Sequence, residues 1–204
     1  MEERKVKIAV LVSGGGTNLQ ALIDAEKSGK LKSGKISLVI SNNESAYALT
    51  RAACAGIPTR VITKAAFKAE FETELIKALK DAGVELIVLA GFMSILSANF
   101  TREFENKIIN VHPALIPSFC GKGYYGLKVH EAALSYGVKV TGATVHFVNE
   151  IPDGGKIIMQ KAVKVLPSDT PESLQKRVMK LAEWRILPAA CEQVCEKILT
   201  GEKL

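Results

Sequence analysis

Apolar residues along the first half of the chain come in short runs, most of them cut off by glycine or an amide. Lys7 to Ser13 (KIAVLVS), Ile36 to Asn42 (ISLVISN), Leu86 to Gly91 (LIVLAG) and Lys107 to His112 (KIINVH) share this form, and Thr59 to Thr63 is a shorter version. A brief β-branched run between turn residues predicts a strand, and one without polar alternation predicts burial on both faces. Between these runs the period changes. Thr17 to Ala25 opens as a helix after glycines, and Ala46 to Gly56 has helical composition with Gly56 as its stop. Ala65 to Gly83 carries Phe67, Phe71, Leu75, Ile76 and Leu79 at steps of three and four, which predicts one amphipathic helix. Strands alternating with helices imply a parallel sheet covered on both sides.

The second half is patterned differently. Val140 to Asn149 and Lys156 to Val165 are long strand-like segments separated only by Glu150 to Gly155. So short a connection requires an antiparallel hairpin, because a parallel crossover needs about a dozen residues or more. Ser168-Asp169-Thr170-Pro171-Glu172 reads as a helix start, with helix through Leu187, a break at Pro188 and further helix to Leu199. The predicted fold is α/β: a Rossmann-like open sheet, parallel in its N-terminal part, with an antiparallel C-terminal hairpin and helices on both faces. A single domain over residues 1–204 accommodates it.

Composition narrows the class. Hydrophobic residues make up 48% of the 204, enough for a sizeable core. No apolar run reaches membrane-spanning length, and the charged start Met1 to Lys5 does not resemble a signal peptide, so a cytoplasmic protein with no membrane partner is expected. The net charge is +6, but Lys and Arg are scattered among Glu rather than gathered in a patch, which disfavours nucleic acid. Cys54, Cys120, Cys191 and Cys195 form no Cys-x-x-Cys and have no histidine at metal-ligand spacing. They are expected to be reduced core or half-buried thiols, and no metal is expected.

Candidate chemistry gathers where the strands end. In open α/β sheets ligands bind beyond the carboxyl ends of the strands, and Ser13, Asn42, Gly91 and His112 all lie there. The loop SGGGTNLQ, Ser13 to Gln20, joins a strand to a helix, so its backbone amides and the helix dipole favour phosphate. It is not a dinucleotide fingerprint, because Leu19 replaces the third glycine, and no Gly-Lys-Ser/Thr follows to make a P-loop. Asn110 and His112 lie two apart on a strand and therefore share a face. Asp153 stands in the hairpin turn before two glycines. An amide, an imidazolium and a carboxylate suit acyl transfer without a protein nucleophile. The first two donate to a tetrahedral oxyanion, and the third raises the imidazole pKa and accepts a proton from an attacking amine. His146 either lines the same cleft beside Thr144 or is a packed strand histidine, and His130 is read as a helix-surface residue.

Six segments carry a resemblance that covers nearly the whole chain: VLVSGGGTNLQALI, ISNNESAYALTRAACAGIPTRVI, LAGFMSIL, INVHPALIP, VTGATVHFVNEIPDGGKIIMQ and RVMKLAEWRILPA. They resemble the folate-dependent formyltransferases, and among these the phosphoribosylglycinamide formyltransferases of purine synthesis. The resemblance implies transfer of formyl from 10-formyltetrahydrofolate to the amine of glycinamide ribonucleotide. It implies Asn110, His112 and Asp153 as catalytic residues. It implies Gly16, Thr17, Asn18 and Glu183 as ribonucleotide contacts. The folate contacts it implies are Lys68 (with Lys64 as the other possibility), Met93, Ser94, Ile95, Leu96 and Asn110, together with the hairpin residues Asn149, Glu150, Ile151, Pro152 and Asp153. Residues 1–110 would then mainly bind the ribonucleotide phosphate, and 111–204 would mainly carry folate and catalysis. A monomer or weak homodimer with small-molecule substrates is implied.

Some positions depart from the family pattern. Ser94 stands where many members have Arg, Trp184 where His is common, and Tyr124-Tyr125 lie in a loop that is often shorter. Three alternatives use part of the same residues: a methionyl-tRNA formyltransferase, which normally adds a basic C-terminal domain; a 10-formyltetrahydrofolate hydrolase, which usually has a second His where Pro113 stands; and a nucleotide-binding module, which would leave Asn110, His112 and Asp153 unexplained.

Overall fold

The computed structural model describes residues 4–204, so Met1 to Glu3 of the charged start lie outside the described residues. Seven strands form one sheet: β1 (Val6–Val12), β2 (Gly34–Ser41), β3 (Thr59–Val61), β4 (Leu86–Leu89), β5 (Ile108–His112), β6 (Val140–Phe147) and β7 (Ile157–Lys164). Their order is β3-β2-β1-β4-β5-β6-β7. The first five strands run parallel, β6 is antiparallel to β5, and β7 is antiparallel to β6. The chain builds outward from β1 in one direction and then crosses to β4, so the topological switch lies between the ends of β1 and β4.

Alternation along β1 explains why both faces need cover. Ile8, Val10 and Val12 point into one layer with Leu19, Leu22 and Ile23 of α1 (Thr17–Lys27) and Ala48 and Ala52 of α2 (Tyr47–Cys54). Ala9 and Leu11 point into the other layer with Phe71, Leu75 and Leu79 of α4 (Phe71–Asp81) and Phe100 of α5 (Ala98–Glu103). The long helix α8 (Trp184–Thr200) completes the first layer with Leu187, Cys191 and Val194.

Three helical segments differ from the pattern reading. The expected helix 65–83 is broken: α3 (Lys64–Phe67) ends at Lys68, whose φ is +48°, and a 3₁₀ turn over Lys68–Glu70 leads into α4. Thr63 caps the short piece by accepting from the Ala66 amide at 3.1 Å, and the break re-aims the chain so that Phe71 is buried. The break expected at Pro188 is also displaced. The helix runs through Pro188, and the irregularity is a π turn at Met179–Glu183, between α7 (Pro171–Val178) and α8. A π turn holds an extra residue and rotates the helix beyond it, a device common at functional sites. Finally, α6 (Leu127–Tyr136) buries His130 completely with Val129 and Ala133, so His130 is not a surface residue. The helix start at residues 168–172 is formed as read: Thr170 caps α7 in a capping box with Ser173, and Pro171 takes the first turn. Of the thiols, Cys191 and Cys195 are buried, but Cys54 is exposed, since it ends α2 on the solvent side.

Candidate active site

Asn110, on β5, pairs in register with His146 on β6, and His112 pairs with Thr144. The antiparallel junction therefore brings a second imidazole to the strand face already occupied by Asn110 and His112. Asp153 enters from the β6–β7 hairpin with φ at +56°, a left-handed conformation that Asp tolerates better than most residues. The turn is held by the Gly154 amide on the Ile151 carbonyl at 2.9 Å. A Cβ on Gly155 would fall 1.7 Å from the Phe147 carbonyl oxygen, so only glycine lets the hairpin close this tightly.

The four side chains form one cluster. His112 Nδ1 lies 3.5 Å from Asp153 Oδ2, and His146 Nε2 lies 3.6 Å from Asp153 Oδ1. Asn110 Nδ2 donates to His146 Nε2 at 3.3 Å. Each imidazole has its other nitrogen tied to a backbone carbonyl: His112 Nε2 donates to Phe119 O at 2.8 Å and His146 Nδ1 donates to Phe147 O at 2.8 Å. Those bonds fix the neutral tautomers, because a carbonyl oxygen can only accept. The His112 Nδ1 lone pair is thereby left facing the Asp153 carboxylate, while that of His146 Nε2 takes the Asn110 hydrogen.

The electrostatics correct the expectation of a charged His112. Burial lowers the His112 pKa; the Asp153 carboxylate and the Phe119 carbonyl raise it and His146 lowers it, and the net direction is down. Asp153 is the reverse case. Burial pushes its carboxyl up, but a hydrogen bond from His146 and the positive charge of His112 when these rings are protonated, with the Gly121 amide, which donates to Oδ2 at 2.8 Å, bring it below the usual carboxylate value. The carboxylate does favour protonation of His112, as expected, but desolvation outweighs it.

Beside the cluster lies a cavity of about 140 Å³, walled by Leu89, Phe92, Ser94, Ile95 and Leu96 and by the hairpin from Val148 to Asp153, with Asn110 and His146 at its end. It is smaller than a pocket for a whole ligand, about 300–1,000 Å³, and so takes one end of a substrate. Of the positions matched to folate, Ser94, Ile95, Leu96, Asn110, Asn149, Glu150, Ile151, Pro152 and Asp153 line this cavity. Met93 is not among the lining residues; its side chain is exposed, and its amide donates to Ser13 Oγ at 2.8 Å, tying the loop after β4 to the loop after β1. Lys68 is also outside the lining, on the exposed 3₁₀ turn. Ser94 Oγ accepts from Asn42 Nδ2 at 2.9 Å, so it is used inside the protein as well as at the wall.

On the other side of the switch, Gly16 caps α1 with φ at +71° and no side-chain cap. A Cβ there would lie 2.6 Å from Ala48 Cβ, so α2 packs directly under the loop. Asn18 and Glu183 are both buried, and Asn18 Nδ2 donates to Glu183 Oε2 at 2.8 Å. Burial raises the Glu183 pKa to about 7, against a smaller opposing effect of the Asn18 amide. The π turn is what carries Glu183 inward to this partner from 165 residues away. Thr17 and Trp184 line a separate groove of about 490 Å³ between α1 and α8, with Arg51 and Arg185.

The residues that pattern reading misses are therefore His146, whose role it leaves open, and the backbone groups of Phe119 and Gly121. The strand register around His146 is the signal that assigns the first. Nothing in the sequence marks the others, because backbone groups carry no residue signature.

Comparison with known proteins agrees with this geometry. The chain is 46% identical over 195 residues to the human trifunctional purine biosynthetic protein adenosine-3, covering 95% of this chain but only 19% of that protein. It is 44% identical to phosphoribosylglycinamide formyltransferase of Haemophilus influenzae, covering 89% of this chain and 84% of that enzyme. The crystal structure of glycinamide ribonucleotide transformylase 1 from Symbiobacterium toebii superposes with a TM-score of 0.88 at 41% identity, over 94% of this chain and 88% of that one. The formyl transferase family profile matches residues 6–191, and the chain belongs to that family, in its phosphoribosylglycinamide formyltransferase branch.

Proposed function

We propose that this chain transfers the formyl group of 10-formyltetrahydrofolate to the amine of N1-(5-phospho-D-ribosyl)glycinamide, releasing formylglycinamide ribonucleotide and tetrahydrofolate in purine synthesis. The observation that carries the reading is the cluster of Asn110, His112, His146 and Asp153 between two unlike sites. An apolar-walled cavity lies on one side, suited to a flat heterocycle, and a glycine loop at a helix N-terminus lies on the other, suited to a phosphate. The ribose would lie near Glu183, whose carboxylate can accept from sugar hydroxyls.

The amine attacks the formyl carbon, and the carbonyl π electrons move to oxygen. Asn110 has one N–H left after bonding His146 and can donate it to that oxygen. The attacking nitrogen becomes an ammonium and must lose a proton. The cluster presents the Asp153 carboxylate and the His112 Nδ1 lone pair to receive it, with His146 beside them. When the carbon–nitrogen bond to the folate breaks, the leaving nitrogen needs a proton, and the same cluster returns one. No net proton is gained, so the cluster acts as a shuttle. Burial lowers the His112 pKa, so the ring is neutral at rest and, once it has accepted the proton, gives it up readily to the leaving nitrogen.

The test is incubation with 10-formyltetrahydrofolate and glycinamide ribonucleotide, following deformylation of the folate by absorbance, beside parallel reactions with methionyl-tRNA and with no acceptor. Deformylation dependent on glycinamide ribonucleotide is expected. Equal deformylation without any acceptor would make the chain a hydrolase instead.

A further inference from the structure

Three consecutive carbonyls at the glycine loop are tied off toward the same neighbour. Asn43 Nδ2 donates to Ser13 O at 3.2 Å, the Ala48 amide donates to Gly14 O at 3.0 Å, and Arg51 Nε donates to Gly15 O at 2.8 Å. All three donors belong to α2 or to the segment leading into it. In a strand, successive carbonyls point to alternate sides, so this arrangement is a departure that has to be held. A trans peptide is planar, with its C=O and the following N–H antiparallel. Drawing the carbonyls of Ser13, Gly14 and Gly15 toward α2 therefore turns the amides of Gly14, Gly15 and Gly16 away from it. Among the described residues none of those three amides has an acceptor. Successive amides facing one way, with the last residue left-handed, form an anion nest.

Arg51 is the one donor of the three with a charge and a fork. Its Nη1 also donates to Gln20 Oε1 at 3.0 Å, on the first turns of α1, and its guanidinium lies 5.0 Å from the centre of the Tyr47 ring. One side chain thus links the loop carbonyl to the helix whose N-terminus the loop caps. We propose that Arg51 is a positioning residue for substrate phosphate: it holds the Gly15 carbonyl back so that the Gly16 amide faces the anion. The proposal rests on the reading that the glycine loop takes the phosphate. It differs from a charge effect, because it needs two hydrogen bonds in a fixed plane. Lysine has the charge but not the fork.

Affinity is measured by calorimetry for glycinamide ribonucleotide and for its dephosphorylated riboside, in the unaltered protein and in Arg51→Lys, Arg51→Ala and Gly15→Val. The ratio of the two affinities reports phosphate recognition alone. Both Arg51 variants are expected to lower that ratio roughly tenfold, the scale of losing hydrogen bonds to a charged group, with the riboside affinity unchanged. Methylguanidinium in solution should restore part of the ratio in Arg51→Ala and none in Arg51→Lys. A Lys variant with the full ratio would overturn the proposal in favour of charge. Equal loss for both ligands with a lowered melting temperature would overturn it in favour of general stability. A Cβ on Gly15 meets nothing within 4 Å, so Gly15→Val should fold and place its side chain at the nest. If Gly15→Val lowers the ratio and neither Arg51 variant does, the Arg51 proposal alone fails. If Gly15→Val keeps the full ratio, the loop is not the phosphate site and both readings fall.

Discussion

Replacing Glu183 by Gln should stabilise the protein at alkaline pH while weakening ribonucleotide binding. Glu183 is only 6% exposed, and its hydrogen-bond partner is the Asn18 amide. Its pKa stands at about 7 against an ordinary 4.5. The folded value is raised, so the contribution to stability is fully present below about pH 4.5 and lost as pH rises through about 7. At about 1.36 kcal/mol per pKa unit, ionising this carboxyl in place costs the fold roughly 3 kcal/mol by pH 8. That is a large share of a typical stability of about 5–15 kcal/mol. Gln resembles the protonated acid and still accepts from Asn18 Nδ2. Urea unfolding of both proteins from pH 4.5 to 8.5 isolates the effect, since every other titrating group is common to the two. Similar stabilities are expected at the acid end and a lead of about 3 kcal/mol for Glu183→Gln at the alkaline end. A difference that does not change with pH would refute the reasoning. The same substitution removes a charged acceptor, so glycinamide ribonucleotide should bind roughly 10- to 100-fold more weakly.

Asp153→Asn should keep both substrates bound and cut turnover by about 10²–10⁴, because the shuttle loses its only carboxylate. Loss of the charge that raises His112 should also move that histidine further down in an NMR titration, and near-normal turnover with an unmoved His112 would make Asp153 a turn residue. His130→Leu should flatten the acid side of the stability curve. Burial and the nearby His112 lower the His130 pKa to about 4, so the wild-type protein gains this contribution above about pH 6.5 and loses it as pH falls toward 4. An unchanged acid limb in urea unfolding would contradict this. Ile95→Asp should weaken folate binding without lowering the melting temperature, since Ile95 is 73% exposed at the cavity wall. A drop in melting temperature with both substrates weakened equally would make it a core residue instead.

The strands are legible in the sequence because their signal is local: a β-branched run closed by glycine or an amide has few other conformations. The helical breaks are not, since Lys68 and the Met179–Glu183 turn depend on what Phe71 and Glu183 meet across the molecule. His130 reads as surface only while histidine is counted as polar; Val129 and Ala133 mark its face of α6 as buried once the period is counted. At the site, side-chain types are visible in the sequence and their state is not. The presence of Asp153 near His112 suggests a charged imidazole, but the degree of burial is a property of the whole fold and reverses the sign. Short α5 does carry a local signal, a serine cap: Ser97 Oγ accepts from the Phe100 amide at 3.2 Å.

The alternating side chains of β1 also bear on how the molecule comes apart. Ile8, Val10 and Val12 anchor one hydrophobic layer and Ala9 and Leu11 the other, so the two layers have a strand in common. Neither can melt while β1 stays ordered in the other without exposing half of the strand's apolar surface to water. Heat or denaturant should therefore take both layers in a single cooperative step. A protease that nicks an outer loop should release no stable half. Any loss of packing on the α4 face should be felt as faster hydrogen exchange in the amides of β1, and through them at the glycine loop on the opposite face.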